Sequence, residues 1–217
     1  MSCSQDFFYF YPMKKLVLLL AVVAVSCAKP AFDPKWLSER APETYTARFE
    51  TTKGDFDIAV ERKYSPKAAD RFYQLVKHGY FDDGIFYRVV EGFVAQFGNT
   101  DQHAMEQWRS SKIPDEPVLL SNTKGTVSFA RDGKESRDLE LFINLADNTK
   151  LDTIDFNGVR GFPAFGRVTN GMDVVEKLYS GYGEEMMANY ESMYTGRASF
   201  YKTYPKLDLI EKAYLVE

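Results

Sequence analysis

The sequence predicts a mostly β fold, a closed or nearly closed β-barrel accompanied by two α-helices. Many short apolar segments of strand length follow one another, and turns that contain glycine separate them. Only two segments instead carry apolar residues at spacings of three and four. Short strands in this number with so few helices are typical of an antiparallel barrel.

The predicted domain begins with a hairpin at Tyr45. Apolar and polar residues alternate on both sides of Thr52-Lys53-Gly54, which indicates two strands joined by a tight turn. A helix follows, with Ser65 as its N-cap, Pro66 as its first residue and Gly79 as its stop. The buried face of this helix is predicted to consist of Ala69, Phe72, Leu75 and Val76.

Most of the remaining chain is predicted to form strands. The segments concerned are FYRVV, FVAQF, TVSFA, LELFINL and PAFGRV, followed by a closing strand within 207–216. A second helix is predicted over 170–178, because Met172, Val175 and Leu178 lie on one helical face. Residues 179–204 are polar and rich in tyrosine, and they are predicted as an irregular excursion before the last strand.

The composition argues against several classes of function. The 217 residues are 45% hydrophobic and 27% charged, as expected of a folded domain rather than a disordered chain. The formal net charge of −4 argues against nucleic-acid binding, because no basic surplus can neutralise phosphates. Two cysteines and two histidines leave little material for a zinc site, so no metal is expected.

The N-terminus has the composition of a secretory signal. Lys14 and Lys15 precede ten apolar residues, which at 1.5 Å rise span about 15 Å, too short to cross a bilayer. We interpret residues 1–26 as a signal peptide, with translation starting at Met13. The run Ala-Val-Ser-Cys ending at Cys27 resembles a bacterial lipobox, and an ordinary signal peptide or a buried strand is the alternative. Residues 27–44 are then a tether and residues 45–217 the folded domain.

The lipobox resemblance predicts a membrane partner and a location. A lipid on Cys27 would anchor the protein while the domain stays soluble. Ala28 in place of Asp after the cysteine resembles the outer-membrane sorting pattern. We therefore expect an outer-membrane lipoprotein on the periplasmic side of a bacterial cell envelope, acting as a monomer.

Two polar residues in apolar strands are the strongest candidates for a site. Arg88 and Gln96 lie eight residues apart on adjacent predicted strands, next to Phe93. The arginine guanidinium is always protonated and donates hydrogen bonds in a fixed planar geometry. Together with the amide donor of Gln96, next to apolar side chains, it would form a binding pocket. The alternative is that both side chains lie on the solvent face of the barrel. His78 and His103 lack metal-ligand spacing, and no nucleophile elbow or phosphate-binding loop occurs.

The segment from Phe86 to Gly98, FYRVVEGFVAQFG, closely resembles the signature of the cyclophilins, the peptidyl-prolyl cis-trans isomerases. GTVSFA at 125–130, LFIN at 141–144 and FGRV at 165–168 resemble further blocks of that family in the same order. The resemblance covers residues from about 45 to 178. It implies a closed eight-stranded antiparallel barrel capped by two helices, and isomerase activity toward proline-containing polypeptides without a cofactor.

The same resemblance implies roles for individual residues. Arg88 would be the donor to the prolyl amide, Phe93 and Phe142 would hold the proline ring, and Gln96 would orient Arg88 or the substrate carbonyl. The surrounding substrate-binding positions are Phe86, Val94, Ala130, Arg131, Glu140, Leu151 and Phe162.

Three charged residues depart from the family pattern around this pocket. Arg131 stands where many members have Asn, Glu140 where a Gln is usual, and Lys150 where eukaryotic members have Trp. Glu140 pairs with Arg88 or with Arg131 in this interpretation. The first pairing would slow turnover, and the second would leave Arg88 free.

The leading hypothesis is a membrane-tethered prolyl isomerase that acts on exported or unfolded proteins. The main alternative is a proline-peptide-binding or chaperone module with the same pocket and little turnover. A third interpretation makes residues 179–204 a docking surface for an envelope partner.

Overall fold

The computed structural model describes residues 31–216, which form an eight-stranded antiparallel sheet curled into a half-barrel. The strands are β1 (Thr44–Thr51), β2 (Gly54–Glu61), β3 (Ile85–Val90), β4 (Val94–Gly98), β5 (Thr126–Phe129), β6 (Leu141–Asn144), β7 (Asp155–Phe156), β8 (Val159–Arg160), β9 (Ala164–Asn170) and β10 (Ile210–Val216). Their order across the sheet is β10-β1-β2-β9-β5-β6-β4-β3, and β7 and β8 form a separate hairpin. The prediction of eight antiparallel strands is confirmed.

The prediction of a closed barrel is not confirmed. Within residues 31–216, the sheet edges formed by β3 and β10 meet only at an isolated bridge between Ile85 and Leu209, the residue before β10. The backbone hydrogen bonds at this junction, from the Phe86 amide to the Asp208 carbonyl and from the Ile210 amide to the Gly84 carbonyl, lie at the start of β3. Beyond that point, the outward-facing Tyr87 packs against residues from the 179–204 segment instead of a strand.

The described residues contain five α-helices where the sequence predicted two. They are α1 (Pro66–Lys77), α2 (Gln102–Arg109), α3 (Met172–Val175), α4 (Glu185–Ala188) and α5 (Arg197–Thr203). α1 lies where it was predicted, and α3 is a shortened form of the predicted 170–178 helix. Helix α2 was missed, although Asp101 caps it and Met105 and Trp108 form its buried face. No helix in residues 31–216 is long and apolar enough to cross a membrane.

Helix α1 receives its N-terminal cap from a distant residue. Ser65 precedes the helix as predicted, but its hydroxyl donates to Glu116 at 2.5 Å rather than accepting a helix amide. The Glu116 carboxylate accepts instead from the amides of Lys67 and Ala68. It also pairs at 3.1 Å with the fully buried Arg137. One carboxylate therefore satisfies a helix N-terminus and neutralises a buried cation.

Closely packed phenylalanine rings fill the interior of the half-barrel. Phe49 lies 5.1 Å from Phe56, and Phe72 lies 5.1 Å from Phe165, measured between ring centroids. All four rings are fully buried. Helix α1 supplies Phe72 to this core, so the helix packs against the apolar interior of the half-barrel.

The described part of the predicted tether, residues 31–44, packs on the domain. The ring of Trp36 stacks on His78 with centroids 3.9 Å apart, and Phe32 and Leu37 contact the main core. Gln74 of α1 donates to the backbone carbonyl of Glu39 at 2.7 Å. Aromatic residues bury too much apolar surface to stay free in a linker. Residues 1–30, with the predicted signal and Cys27, lie outside the described residues.

Residues 179–204 form a compact second cluster rather than an irregular excursion. Met186, Met193 and Phe200 are buried there against Ile85 and Tyr87 of β3. Helices α4 and α5, with a 3₁₀ turn at Tyr190–Thr195, carry these side chains. The tyrosine-rich composition thus provides a small apolar core on the outer face of β3.

Candidate active site

The β3–β4 hairpin positions the first two candidate residues. Arg88 pairs with Gln96 across the two antiparallel strands, so both side chains project from the same face. The Phe93 amide closes the connecting turn by donating to the Val90 carbonyl at 3.0 Å. Gly92 adopts φ +68° in this turn, a conformation that suits glycine. The turn directs Phe93 back over Arg88.

Three neighbours hold the Arg88 guanidinium. Its Nη1 donates to Gln96 Oε1 at 3.1 Å, and its Cζ lies 5.5 Å from the centroid of the Phe93 ring. On the opposite edge, Nε and Nη2 donate to the two oxygens of Glu184 at 3.0 and 2.6 Å. The Arg88 side chain is only 16% exposed, so its orientation is well defined.

An apolar pocket adjoins this guanidinium. Val94, Phe142 and Leu151 form a buried cluster, and Phe93, Ala130 and Phe162 pack around it. Phe142 lies opposite Gln96 in the β4–β6 ladder, and its ring meets Phe162 edge-on at 5.9 Å. The structure therefore brings together Arg88, Phe93, Gln96 and Phe142, with Val94, Ala130, Leu151 and Phe162 at the walls.

Phe86 does not belong to this pocket. Its ring is fully buried in the main core, 5.3 Å from Phe97 and 6.3 Å from Phe56. The inward side of β3 faces the interior of the half-barrel, and the register shift after Ile85 interrupts simple alternation along the strand. The assignment of Phe86 to substrate binding is corrected accordingly.

Glu140 pairs with neither of the two arginines proposed for it. Its side chain points into the protein beside Gly98, and neither carboxylate oxygen has a hydrogen-bond partner among the described residues. Its only ion-pair contact there is Arg109, 3.9 Å away. Burial raises the pKa of Glu140 to about 8, although the nearby Tyr87 hydroxyl and Arg109 oppose that shift. Glu140 is thus a buried residue and not part of the pocket surface.

Arg131 and Lys150 do border the pocket. Arg131 lies over the Phe162 ring at 4.6 Å, donates to the Val159 carbonyl at 2.8 Å, and lies 3.7 Å from Asp115. The Lys150 ammonium is 5.5 Å from the Phe93 centroid. Both cations therefore contact pocket rings, while Arg131 is held by groups of its own.

Side-chain amides beneath the pocket fix its backbone. Asn148 donates to the Phe93 carbonyl at 2.8 Å and to Asn144, and Asn122 donates to the Phe162 carbonyl at 2.8 Å. Asp152 accepts from Asn122 at 2.7 Å. The sequence pattern does not predict these supports. Their only signal was a concentration of asparagine and aspartate next to the apolar strands.

This arrangement can hold an apolar ring and present fixed hydrogen-bond donors at its edge. In residues 31–216, no group of three or more His, Cys, Asp or Glu residues is placed to hold a metal ion. The geometry therefore offers an apolar recess for a ring-shaped side chain, with the donors of Arg88 at its border.

Comparisons with known proteins point to one family. The model of the cyclophilin type peptidyl-prolyl cis-trans isomerases matches residues 46–203. The chain is 30% identical over 164 residues to peptidyl-prolyl cis-trans isomerase A of Dickeya dadantii, covering 74% of this chain and 83% of the relative. It is 30% identical over 168 residues to peptidyl-prolyl cis-trans isomerase B of Escherichia coli, covering 75% and 93%.

Solved structures agree on the fold. A cyclophilin type peptidyl-prolyl cis-trans isomerase of Cryptosporidium parvum superposes with a TM-score of 0.55 at 19% identity, over 80% of this chain and 98% of that one. Together with the family match over most of the chain, these findings show that the protein belongs to the cyclophilin-type peptidyl-prolyl cis-trans isomerases, a family of enzymes.

Proposed function

We propose that this protein accelerates cis-trans isomerisation of X–Pro bonds through Arg88, in exported or unfolded polypeptides. The observation that carries this proposal is the placement of the Arg88 guanidinium against Phe93, beside the pocket formed by Phe142 and Val94. A proline ring seated in that pocket would have its amide next to a fixed cationic donor.

The electronic structure of the peptide bond explains how a single hydrogen-bond donor can accelerate rotation about an X–Pro bond. The amide resonance imposes a barrier of about 18–20 kcal/mol on rotation, so free X–Pro bonds isomerise in tens to hundreds of seconds. Twisting the bond by about 90° breaks the resonance and returns a lone pair to the prolyl nitrogen. A donor aimed at that nitrogen binds the twisted state more tightly than either planar state. Only such differential binding lowers the barrier.

The remaining pocket residues have separate roles in this mechanism. Phe93 and Phe142 hold the proline ring so that the amide rotates while the ring stays still. Gln96 accepts from Arg88 and limits the rotation of its guanidinium. Each 1.36 kcal/mol by which these contacts favour the twisted state gives a tenfold acceleration.

The test is the exchange rate of a short X–Pro peptide, measured by NMR with the full chain. We expect fast exchange that Arg88→Ala removes. Arg167→Ala is the matched control, because Arg167 is an exposed strand residue on β9 outside the pocket. Undiminished exchange with Arg88→Ala would refute the arginine mechanism, and equal losses in both variants would indicate general damage.

One observation favours the alternative of a binding module with little turnover. Glu184 engages two donor atoms of Arg88, which lowers the positive charge available to a substrate. The same NMR experiment separates the two functions. Peptide shifts that titrate with protein, without accelerated exchange, would identify a binding module.

We also propose that Cys27 carries a lipid that anchors the protein on the periplasmic side of the outer membrane. The support is the lipobox resemblance together with the packing of Phe32 on the domain. Five residues span at most about 18 Å, so a lipid on Cys27 would hold the domain close to the bilayer. Cys27→Ser should move the protein from the membrane to the soluble fraction, and an unchanged membrane fraction would contradict the anchor.

A further inference from the structure

Residues 179–204 place a carboxylate on Arg88 from far along the chain. Glu184 immediately precedes α4, and Met186, two residues later, is 1% exposed within the cluster on β3. The same segment is tied to the β3–β4 turn, where the Ser180 hydroxyl donates to Glu91 at 2.7 Å. Two anchors, one apolar and one polar, therefore flank Glu184 and set its position relative to β3.

The contact between Glu184 and Arg88 is bidentate. Nε donates to one carboxylate oxygen at 3.0 Å and Nη2 donates to the other at 2.6 Å. Two parallel hydrogen bonds define the plane of the guanidinium as well as its distance. The Arg88 side chain is 16% exposed and that of Glu184 is 60% exposed, so the carboxylate approaches from the solvent side.

This contact leaves donors for a substrate. A guanidinium has five N–H groups. Glu184 takes one on Nε and one on Nη2, and Gln96 takes one on Nη1. One N–H on each Nη atom remains, so Arg88 can still reach a bound amide while three of its hydrogen bonds hold it in place.

We propose that Glu184 is a positioning residue for the isomerase reaction, which orients Arg88 toward the prolyl amide. This inference rests on the proposed role of Arg88. Gln96 holds only the Nη1 edge of the guanidinium, whereas the carboxylate fixes the Nε–Nη2 edge. Holding a reacting group in its productive orientation removes an entropic cost from the barrier.

The experiment compares Glu184→Ala and Glu184→Gln with Glu185→Ala in the full chain. Glu185 is the matched control, because it is the next residue, is exposed and makes no ion pair among the described residues. We expect Glu184→Ala to lower kcat about tenfold while KM changes less than twofold, because orientation affects the twisted state more than binding. Glu184→Gln keeps one acceptor oxygen and should recover part of the loss.

A spectroscopic readout separates positioning from general structural damage. The Nε–H resonance of Arg88 should be sharp and protected from exchange in the parent protein and in Glu185→Ala. It should broaden in Glu184→Ala, while the backbone amide spectrum and the melting temperature stay unchanged.

The outcomes distinguish this inference from the proposed function. If Arg88→Ala is inactive while Glu184→Ala is fully active, the positioning role alone is overturned. A higher kcat in Glu184→Ala would also overturn it, since the carboxylate would then compete with the substrate. Full activity in Arg88→Ala would instead overturn the arginine mechanism itself.

Discussion

Glu140 gives the sharpest prediction of pH dependence in this protein. Its carboxyl is buried with no hydrogen-bond partner in the described chain, and burial raises its pKa from 4.5 to about 8. Between these values the unfolded chain releases a proton that the folded protein keeps. The free energy of unfolding therefore falls as pH rises, by about 1.4 kcal/mol per unit.

The size of the change in the free energy of unfolding follows from the interval between these two pKa values. The contribution of Glu140 is fully present below pH 4.5 and is lost as pH rises to about 8, which totals about 5 kcal/mol as an upper limit. Glu140→Gln replaces the carboxyl with a neutral group of similar shape that cannot ionise. The stability of the variant relative to the parent should therefore increase by up to about 4 kcal/mol between pH 5 and pH 8.

Urea unfolding at pH 5, 6, 7 and 8 measures this difference directly. Glu135→Gln is the matched control, because that side chain is exposed on the preceding loop. Its stability difference from the parent should stay flat over the same range. A flat difference for Glu140→Gln as well would show that Glu140 titrates normally, and the reasoning from burial would fail.

Three further perturbations test other parts of the structure. Glu116→Gln leaves the buried Arg137 without its counter-charge and weakens the cap of α1, so it should cost about 3–5 kcal/mol in urea unfolding. Trp36→Ala removes the ring stacked on His78 and should cost about 2 kcal/mol, measured by thermal unfolding; no change would mean that residues 31–44 are a free linker after all. Phe142→Ala removes a wall of the pocket and should weaken proline-peptide binding about tenfold in an NMR titration, whereas unchanged affinity would place the proline elsewhere.

Local patterns predicted much of the fold. Alternation located the hairpin of β1 and β2, and helical spacing with a proline start located α1, because short-range periodicity reflects which face is buried. The closed barrel is not confirmed, because the two edges of the sheet meet only at the Ile85–Leu209 bridge in residues 31–216, and local patterns do not encode how edge strands pair. Helix α2 could have been predicted from the sequence, because Asp101 is a typical N-cap residue and Met105 and Trp108 have helical spacing.

The apolar residues that line the candidate site were predicted from the sequence, but the ion-pair partner of Arg88 was not. Gln96 and Phe142 lie opposite each other on β4 and β6, and Phe93 lies in the turn just before β4, so strand pairing brings the three together. The partner of Arg88 was sought in Glu140, but it is Glu184, 96 positions along the chain. Ion pairs depend on side-chain direction and on distant segments, which a single sequence does not reveal.

The three charged departures around the pocket now have separate consequences. Glu140 points inward and does not pair with Arg88, and Arg131 is held by Asp115 and a backbone carbonyl. Lys150 reaches the Phe93 ring and adds a cation at the rim without touching Arg88 among the described contacts. The carboxylate that contacts Arg88 is that of Glu184, on a segment that the signature motif does not include. The positioning role proposed for Glu184 therefore makes turnover depend on residues 179–204 as well as on the motif.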